Sequence, residues 1–505
     1  MVCIFSDRER SSGGSGVIIS EDGTGLTNFH VVQPFLDSRE GFGGLSDGKL
    51  YPLRVLGIDP SGDIAMFRLS GRERFVAAPL ADSDALHVGQ WVAAMGNPFL
   101  VAEDFTPTLT VGIISGLHRY QEGQGNLLEY ADCIQVSTSI NPGNSGGPLF
   151  DMDGRVIGIN GRASFEERGR VNVGLGYAVT INQVRRFLPG LRAGRLVEHG
   201  ALGATVRGVG PELMVDAIQD FSAAEKCGLA LGDMLTHVAG RPVRTPNEFN
   251  NVQAILPADW PVRLQFMRDG TLHAITARTD RLTTGLPLVY LVDLEHNHAE
   301  IGRQLERFEQ RARIRNADAA AASCELRVGP SDASGTQPIV VRVGADADAC
   351  LGLHSLGPCV QDASAIDWSA EWGAICHPLL WPPRIELGWE LIGGDEIAGC
   401  VASVVERRCA DGVRLRWKFA YDDDALLQAT IGDDQQPECI RWTVALAQQS
   451  FNGAWPTAWV REGPEGRTWI VQVGSFSVAD APPASRPTNA TEPSASAPSE
   501  SGGTP

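Results

Sequence analysis

Gly143-Asn144-Ser145-Gly146-Gly147 sets one hydroxyl in a turn built mostly of glycine. A serine hydroxyl is a weak nucleophile until a neighbouring base takes its proton, and the carbonyl it attacks then needs backbone N–H groups for the developing oxyanion. A glycine turn can bring such groups close. The stretch also satisfies G-x-S-x-G, the elbow that joins a strand to a helix, with an acid and then a histidine later in the chain. The residues after Ser145 argue against an elbow. Leu149-Phe150, the turn Asp151-Met152-Asp153-Gly154 and the run Val156-Ile157-Gly158-Ile159 read as a β-hairpin, which leaves the acid and base to be found upstream.

Upstream, His30 is the only histidine in the first 86 residues, and it closes the strand-like segment that begins at the Gly23 turn. Asp63 opens the alternating segment Ile64-Ala65-Met66-Phe67-Arg68-Leu69. The order His30, Asp63, Ser145 is that of chymotrypsin-fold peptidases and differs from that of subtilisins and of elbow-type hydrolases. Singly, each residue has a plain structural explanation: a packed core histidine, a turn aspartate, a glycine loop. Together, in that order and in segments that read as β, they favour a catalytic triad.

Gly14-Ser15-Gly16-Val17-Ile18-Ile19, Leu26-Thr27-Asn28-Phe29-His30-Val31-Val32, Asp63-Ile64-Ala65, Ala94-Met95-Gly96-Asn97-Pro98 and Ile140-Asn141-Pro142-Gly143-Asn144-Ser145-Gly146-Gly147-Pro148-Leu149 resemble the HtrA (Deg) family of trypsin-fold serine endopeptidases. The resemblance covers roughly residues 2 to 280. It implies a chymotrypsin-like double β-barrel over 1–192, with Ser145 as nucleophile, His30 as general base and Asp63 orienting the imidazole. The oxyanion hole would be the N–H groups of Gly143 and Ser145. Ile140, the Ala163-Ser164 region and Val173 would line the primary pocket; none is acidic, so small or medium aliphatic side chains are expected there, and a Lys or Arg would enter unpaired. The implied activity is ATP-independent cleavage of unfolded or misfolded proteins. The alternative is a latent protease acting chiefly as a peptide-binding scaffold or chaperone.

Residues 198–282 resemble the PDZ domain attached to such proteases, which adds an extended peptide to a sheet edge. Leu202, Gly203 and Ala204 would form the loop that receives a peptide C-terminus. Phe249 and Val252, on a helix capped near Thr245, would line the side-chain pocket, with burial in the domain core as the plainer role. The loop lacks the aromatic residue of many relatives.

The elements beyond are less specific. Ile301, Leu305, Phe308 and Ala312 recur at helical spacing and suggest an amphipathic connecting helix over 294–321 that packs on a neighbouring domain. Residues 323–478 read as a β-rich domain of unassigned role, its tryptophans fitting the core of a small β-sandwich. Nine of the eleven tryptophans and seven of the ten cysteines fall within it, including the neighbours Cys350 and Cys359, and Cys400 and Cys409. Disulfides would suit an extracytoplasmic setting. No CxxC or Cys/His metal spacing occurs, so neither metal nor cofactor is expected. The Pro-, Ala- and Ser-rich tail 479–505, with its Asn489-Ala490-Thr491 sequon, reads as disordered.

A formal charge of −19 argues against nucleic acid and anionic membrane surfaces as partners, and no apolar run is long enough for a membrane span. Family relatives generally carry a signal peptide or anchor before the first strand. Here Met1-Val2-Cys3-Ile4-Phe5 already reads as that strand. The expectation is therefore an extracytoplasmic protein if the start is internal and a cytoplasmic one if it is genuine, with homo-oligomerisation left open.

Overall fold

The computed structural model describes residues 1–10, 12–98, 102, 104–121, 130–165, 172–282, 293–312, 319–330, 337–344, 389–409, 413–422, 425–432, 440–444, 458–463 and 468–480. The protein is mainly β. Strands β1 (Val2–Phe5), β2 (Gly13–Ile18), β3 (Thr24–Thr27), β4 (Glu40–Gly44), β5 (Leu50–Asp59) and β6 (Ile64–Leu69) close a barrel in the order β1-β2-β3-β6-β5-β4. Its interior is filled by Ile4, Val55, Ala65 and Phe67, all fully buried. The Phe67 ring occupies space that a side chain on β3 would need: a Cβ at Gly25 would sit 2.4 Å from it. The glycines of β2 and β3 therefore let a small barrel hold a large aromatic.

A second closed barrel is built from β7 (Trp91–Gly96), β8 (Thr108–Gln121), β9 (Tyr130–Val136), β10 (Pro148–Phe150), β11 (Val156–Phe165) and β12 (Asn172–Thr180), ordered β10-β11-β12-β9-β8-β7. β10 and β11 form the hairpin expected after Ser145, with Leu149 opposite Gly158. The short helix α1 (Phe29–Val32) leaves β3, and α2 (Ile181–Arg192) leaves β12. His30 thus stands on a helical turn rather than at a strand end. The apolar stripe Ile181, Val184, Phe187, Leu188 and Leu191 turns α2 onto a core shared with Leu26 and Met66 of one barrel and Ile159 and Val179 of the other.

The next sheet runs through Ala204–Val209, Glu212–Ile218, Met234–Val238, Pro261–Arg268 and Thr271–Arg278 in that order. The helix Pro246–Gln253 starts at a complete capping box, Thr245 with Glu248, and has Pro246 in its first turn. This unit docks on the second barrel through Asp132, which is fully buried at φ 52° on β9. Arg241 Nη1 and His118 Nδ1 each lie 2.7 Å from its Oδ1, and its N–H donates to Asn251 Oδ1 at 2.6 Å. Asn251 Nδ2 returns a bond to the His118 carbonyl at 3.0 Å. Burial opposes the Asp132 charge, but the His118 hydrogen bond and the Arg241 guanidinium outweigh it and hold the carboxyl below its ordinary range.

Two expectations for the C-terminal half are corrected. The helix is Leu294–Ala312, and Ala319 onward is strand, because Ala319–Pro330 pairs on both sides with Gln337–Gly344 and Thr468–Asp480. Ladder pairing overrides alanine's helical preference there. The helix packs as expected against a neighbour: Asn297 exchanges bonds with Leu391 at 2.8 and 2.9 Å and reaches the Ala193 carbonyl at 2.8 Å. Among the described residues, the nine C-terminal strands form one antiparallel sheet, and no second sheet faces it as a sandwich would require. Trp417, Trp442 and Trp459 are buried as packing residues, and Trp389 stacks on Trp417 with centroids 4.9 Å apart.

Cys400 is a free, exposed thiol while Cys409 is disulfide-bonded, so these two are not partners. They bracket the extended strand Cys400–Arg408, whose ~3.3 Å rise per residue separates them beyond the ~7 Å Cα limit for a bridge. Cys3 and Cys133 are buried free thiols, and Cys227 is a half-buried one. Burial pushes the Cys3 thiol up to about 11. Cys350, Cys359 and residues 481–505 lie outside the described residues.

The Asp132 contact predicts that Arg241→Met, which leaves a buried carboxylate short of a cation, will destabilise the docked state by about 3 kcal/mol. Urea unfolding and protease nicking across residues 193–200 measure it. Unchanged stability and nicking would show that other contacts hold the unit in place.

Candidate active site

Asp63 is presented by a tight turn in which the Gly62 N–H donates to Asp59 Oδ1 at 2.8 Å. Its own backbone is left-handed, at φ 54°, and Asn28 Nδ2 donates to its carbonyl at 2.9 Å. The carboxylate is 1% exposed. Its Oδ1 accepts from the His30 backbone N–H at 3.0 Å, and its Oδ2 lies 2.8 Å from His30 Nδ1 and accepts from the Tyr130 hydroxyl at 2.6 Å. A carboxylate beside Nδ1 fixes the proton on that nitrogen and leaves Nε2 as the basic site.

The His30 side chain remains 35% exposed, so it is open to a substrate. Burial works against its charged form, but the Asp63 hydrogen bond and negative charge outweigh this and raise its pKa above the ordinary 6.5.

Ser145 comes from the other barrel, and one residue of β2 ties its loop in place. The Ser15 N–H donates to the Ser145 carbonyl at 2.9 Å, and Ser15 Oγ donates to the Gly143 carbonyl at 2.6 Å. Ser15 Oγ in turn accepts from the Asn97 N–H at 3.1 Å. Gly146, at φ 83°, lies so close that a Cβ there would sit 2.2 Å from both the Ser15 carbonyl and Thr27 Oγ1. Only glycine allows this approach. The Asn144 carbonyl accepts from the Gly147 N–H at 3.0 Å, which fixes the Ser145 N–H on the opposite side of the same planar peptide. Gly143 has φ 99°, again open only to glycine.

The Ser145 hydroxyl donates to the Gly161 carbonyl at 3.0 Å, and among the described residues no hydrogen bond joins it to His30. The structure therefore brings His30 and Asp63 together in bonding geometry and holds the serine in a resting orientation. A change of χ1 between staggered wells is the step that would re-aim it. Tyr130 spans the two halves: its hydroxyl bonds Asp63, and its ring lies 2.7 Å from where a Cβ on Gly161 would be. Ser15 and Tyr130 are the residues that sequence reasoning missed. Ser15 carried a signal as a polar residue in an otherwise apolar strand, whereas nothing beside Tyr130 in the sequence marks its role.

Ile140 is buried in the second-barrel core, 2.7 Å from where a Cβ on Gly176 would sit. Ser164 falls on β11 and Val173 on β12, and their side chains are outside the described residues. In the PDZ-like unit Leu202, Phe249 and Val252 are core residues exposed by 0, 1 and 4%. The Leu202 N–H donates to Gln253 Oε1 at 3.2 Å. Gly203 takes φ 72° beside Ser222, and Ala204 begins the edge strand that runs near the helix Pro246–Gln253. Among the described residues no three His, Cys, Asp or Glu side chains gather as metal ligands, and no helix is long and apolar enough to cross a membrane.

Residues 14–159 match the trypsin-like peptidase domain family, and residues 200–279 match the PDZ domain family. A probable periplasmic serine endoprotease, DegP-like, from Chlamydia trachomatis is 31% identical over 283 residues, 54% of each chain. The periplasmic serine endoprotease DegP of Salmonella typhimurium is 33% identical over 280 residues, covering 53% of this chain and 56% of that one. The chain thus spans about half the length of the curated relatives it matches. Among solved structures, an HtrA-type protease AlgW with tripeptide is 29% identical, with a TM-score of 0.45, over 56% of this chain and 93% of that one.

The His30–Asp63 pair predicts an imidazole titrating above 6.5 by NMR and falling towards or below that value in Asp63→Asn. A folded-state pKa above the unfolded one means the pair stabilises the fold fully below the unfolded pKa and loses that contribution as pH rises through the folded pKa. A titration at or below 6.5 in the parent protein would contradict the geometry.

Proposed function

We propose that this chain, an HtrA-type serine protease with a PDZ domain over its first 282 residues, is an ATP-independent endopeptidase acting on unfolded or misfolded proteins through His30, Asp63 and Ser145. The observation that carries the reading is the His30 Nδ1–Asp63 pair at 2.8 Å, set across the barrel interface from a serine loop clasped by Ser15.

Ser145 Oγ attacks the scissile carbonyl once it leaves Gly161, and His30 Nε2 takes its proton. The proton then passes from His30 to the leaving amine, and water repeats the sequence to release the acyl group. Asp63 stabilises the imidazolium formed in each half. The N–H groups of Gly143 and Ser145 stabilise the tetrahedral oxyanion, each such donor contributing about 3 kcal/mol. The Ser145 hydroxyl donates to the Gly161 carbonyl, so attack requires it to give up that bond for His30.

Ile140, the Ala163-Ser164 region and Val173, none of them acidic, would line a primary pocket for small or medium aliphatic side chains. In the PDZ domain the edge strand Ala204–Val209 beside the helix Pro246–Gln253 suits peptide addition. A terminal carboxylate at Leu202 and Gly203 would displace Gln253 Oε1 from the Leu202 N–H. Phe249 and Val252 would support that groove from the core. The periplasmic relatives favour an extracytoplasmic site of action.

Ser145→Ala should abolish casein cleavage and labelling by a phosphonofluoridate while leaving the thermal midpoint within a degree or so, since the substitution removes one hydroxyl and little packing. Persistent cleavage by the purified variant would refute the nucleophile assignment. Mass-spectrometric mapping of parent products should place Val, Ala, Ile or Leu before the cut, and a dominant Lys or Arg would refute the pocket.

A further inference from the structure

A cavity of about 260 Å³ lies where three parts of the chain meet: the outer face of α2, the PDZ segments 257–259 and 278–281, and the sheet strands Trp389–Ile397, Cys400–Arg408 and Arg414–Ala420. Seven arginines line it, against five carboxylates. In a chain of formal charge −19, this gathers positive potential at one place.

The carboxylates are already engaged. Glu406 accepts from Arg408 and Arg416 at 2.8 Å each, Asp395 from Lys418 at 2.8 Å and Arg278 at 3.4 Å, and Glu198 pairs with Arg281 at 2.9 Å. Glu390 is bonded to Arg195, and Asp259 lies 3.6 Å from Arg278.

Arg186 differs. Its Nη1 is buried and has no hydrogen-bond partner among the described residues. Burial, and then the neighbouring Arg241 charge, push its pKa below the ordinary arginine range, and the Asp132, Asp84 and Glu396 charges offset this only in part. A buried donor without an acceptor beside a second cation is an unfavourable arrangement that an anion would relieve.

We propose that this junction binds a small multivalent oxyanion of the phosphate class, with Arg186 as its central ligand and Arg278, Arg281 and Arg414 closing around it from the other two domains. Guanidinium forks match phosphate oxygens in two-point geometry. The volume is below the ~300–1,000 Å³ of drug-sized ligand sites, which favours a small ion. The charged lining disfavours an apolar ligand. Because its ligands come from three domains, the bound anion would also fix their mutual arrangement, and anything that binds only the assembled form stabilises it.

The test uses the full chain carrying Ser145→Ala, which prevents self-digestion and makes the readout independent of proteolysis. Inorganic pyrophosphate, titrated calorimetrically at constant ionic strength, should bind saturably with one site per chain and raise the thermal midpoint. Arg186→Met should weaken binding by about tenfold or more, as loss of a charged two-point contact requires, without lowering the midpoint of the unliganded protein. Arg281→Gln, on the PDZ side and 64% exposed, should weaken binding independently and covers the case in which Arg186→Met misfolds. Absence of saturable heat, a midpoint shift reproduced by sodium chloride at the same ionic strength, or unchanged affinity in both variants would overturn the proposal.

Discussion

The site depends on how two separately closed barrels are held against one another. His30 and Asp63 belong to the first and Ser145 to the second, so no local element can set the distance between the imidazole and the hydroxyl. Ser15 supplies that constraint. Its backbone and side chain grip two carbonyls of the serine loop, at 2.9 and 2.6 Å, and Gly146 presses against its carbonyl. Carbonyls bound in this way commit the loop's peptide planes, and with them the N–H groups of the same peptides. The geometry is specified by a few hydrogen bonds of modest individual strength, made in a buried setting where leaving them unmade is expensive.

Tyr130 extends the same logic to the acid. Its hydroxyl completes the set of donors around Asp63, and its ring backs Gly161, whose carbonyl holds the serine at rest. Two residues along β9, Asp132 carries the PDZ contact. One strand therefore presents the support of Asp63 and the docking point of the PDZ domain within three positions. Such proximity gives a short mechanical connection between the two, although proximity is not itself coupling energy.

The C-terminal sheet belongs to the same frame. Asn297 of the connecting helix bonds both the end of the peptidase domain, at Ala193, and the sheet, at Leu391, while Arg195 and Arg278 reach carboxylates of the sheet from the other two domains. The junction is polar and heavily charged. A contact of this kind depends on pairing and ionic conditions more than an apolar one would.

The sequence alone determined the parts whose chemistry is local. Glycines around Ser145, the order of His30, Asp63 and Ser145, the hairpin after the serine and the capping box at Thr245 could all be read because each is imposed by neighbours in the chain. It missed what depends on distant segments meeting. Ser15 and Tyr130 acquire their roles only when the barrels close, and His30 stands on a helical turn that its strand-like flanks did not announce. Ala319 onward became strand because ladders on both sides outweighed local propensity, and the described strands of the tryptophan-rich region pair into one sheet, since alternation reports a buried face without saying what covers it. The resting bond of Ser145 to Gly161 was likewise decided by tertiary structure, since a rotamer answers to whichever acceptor the fold brings within reach.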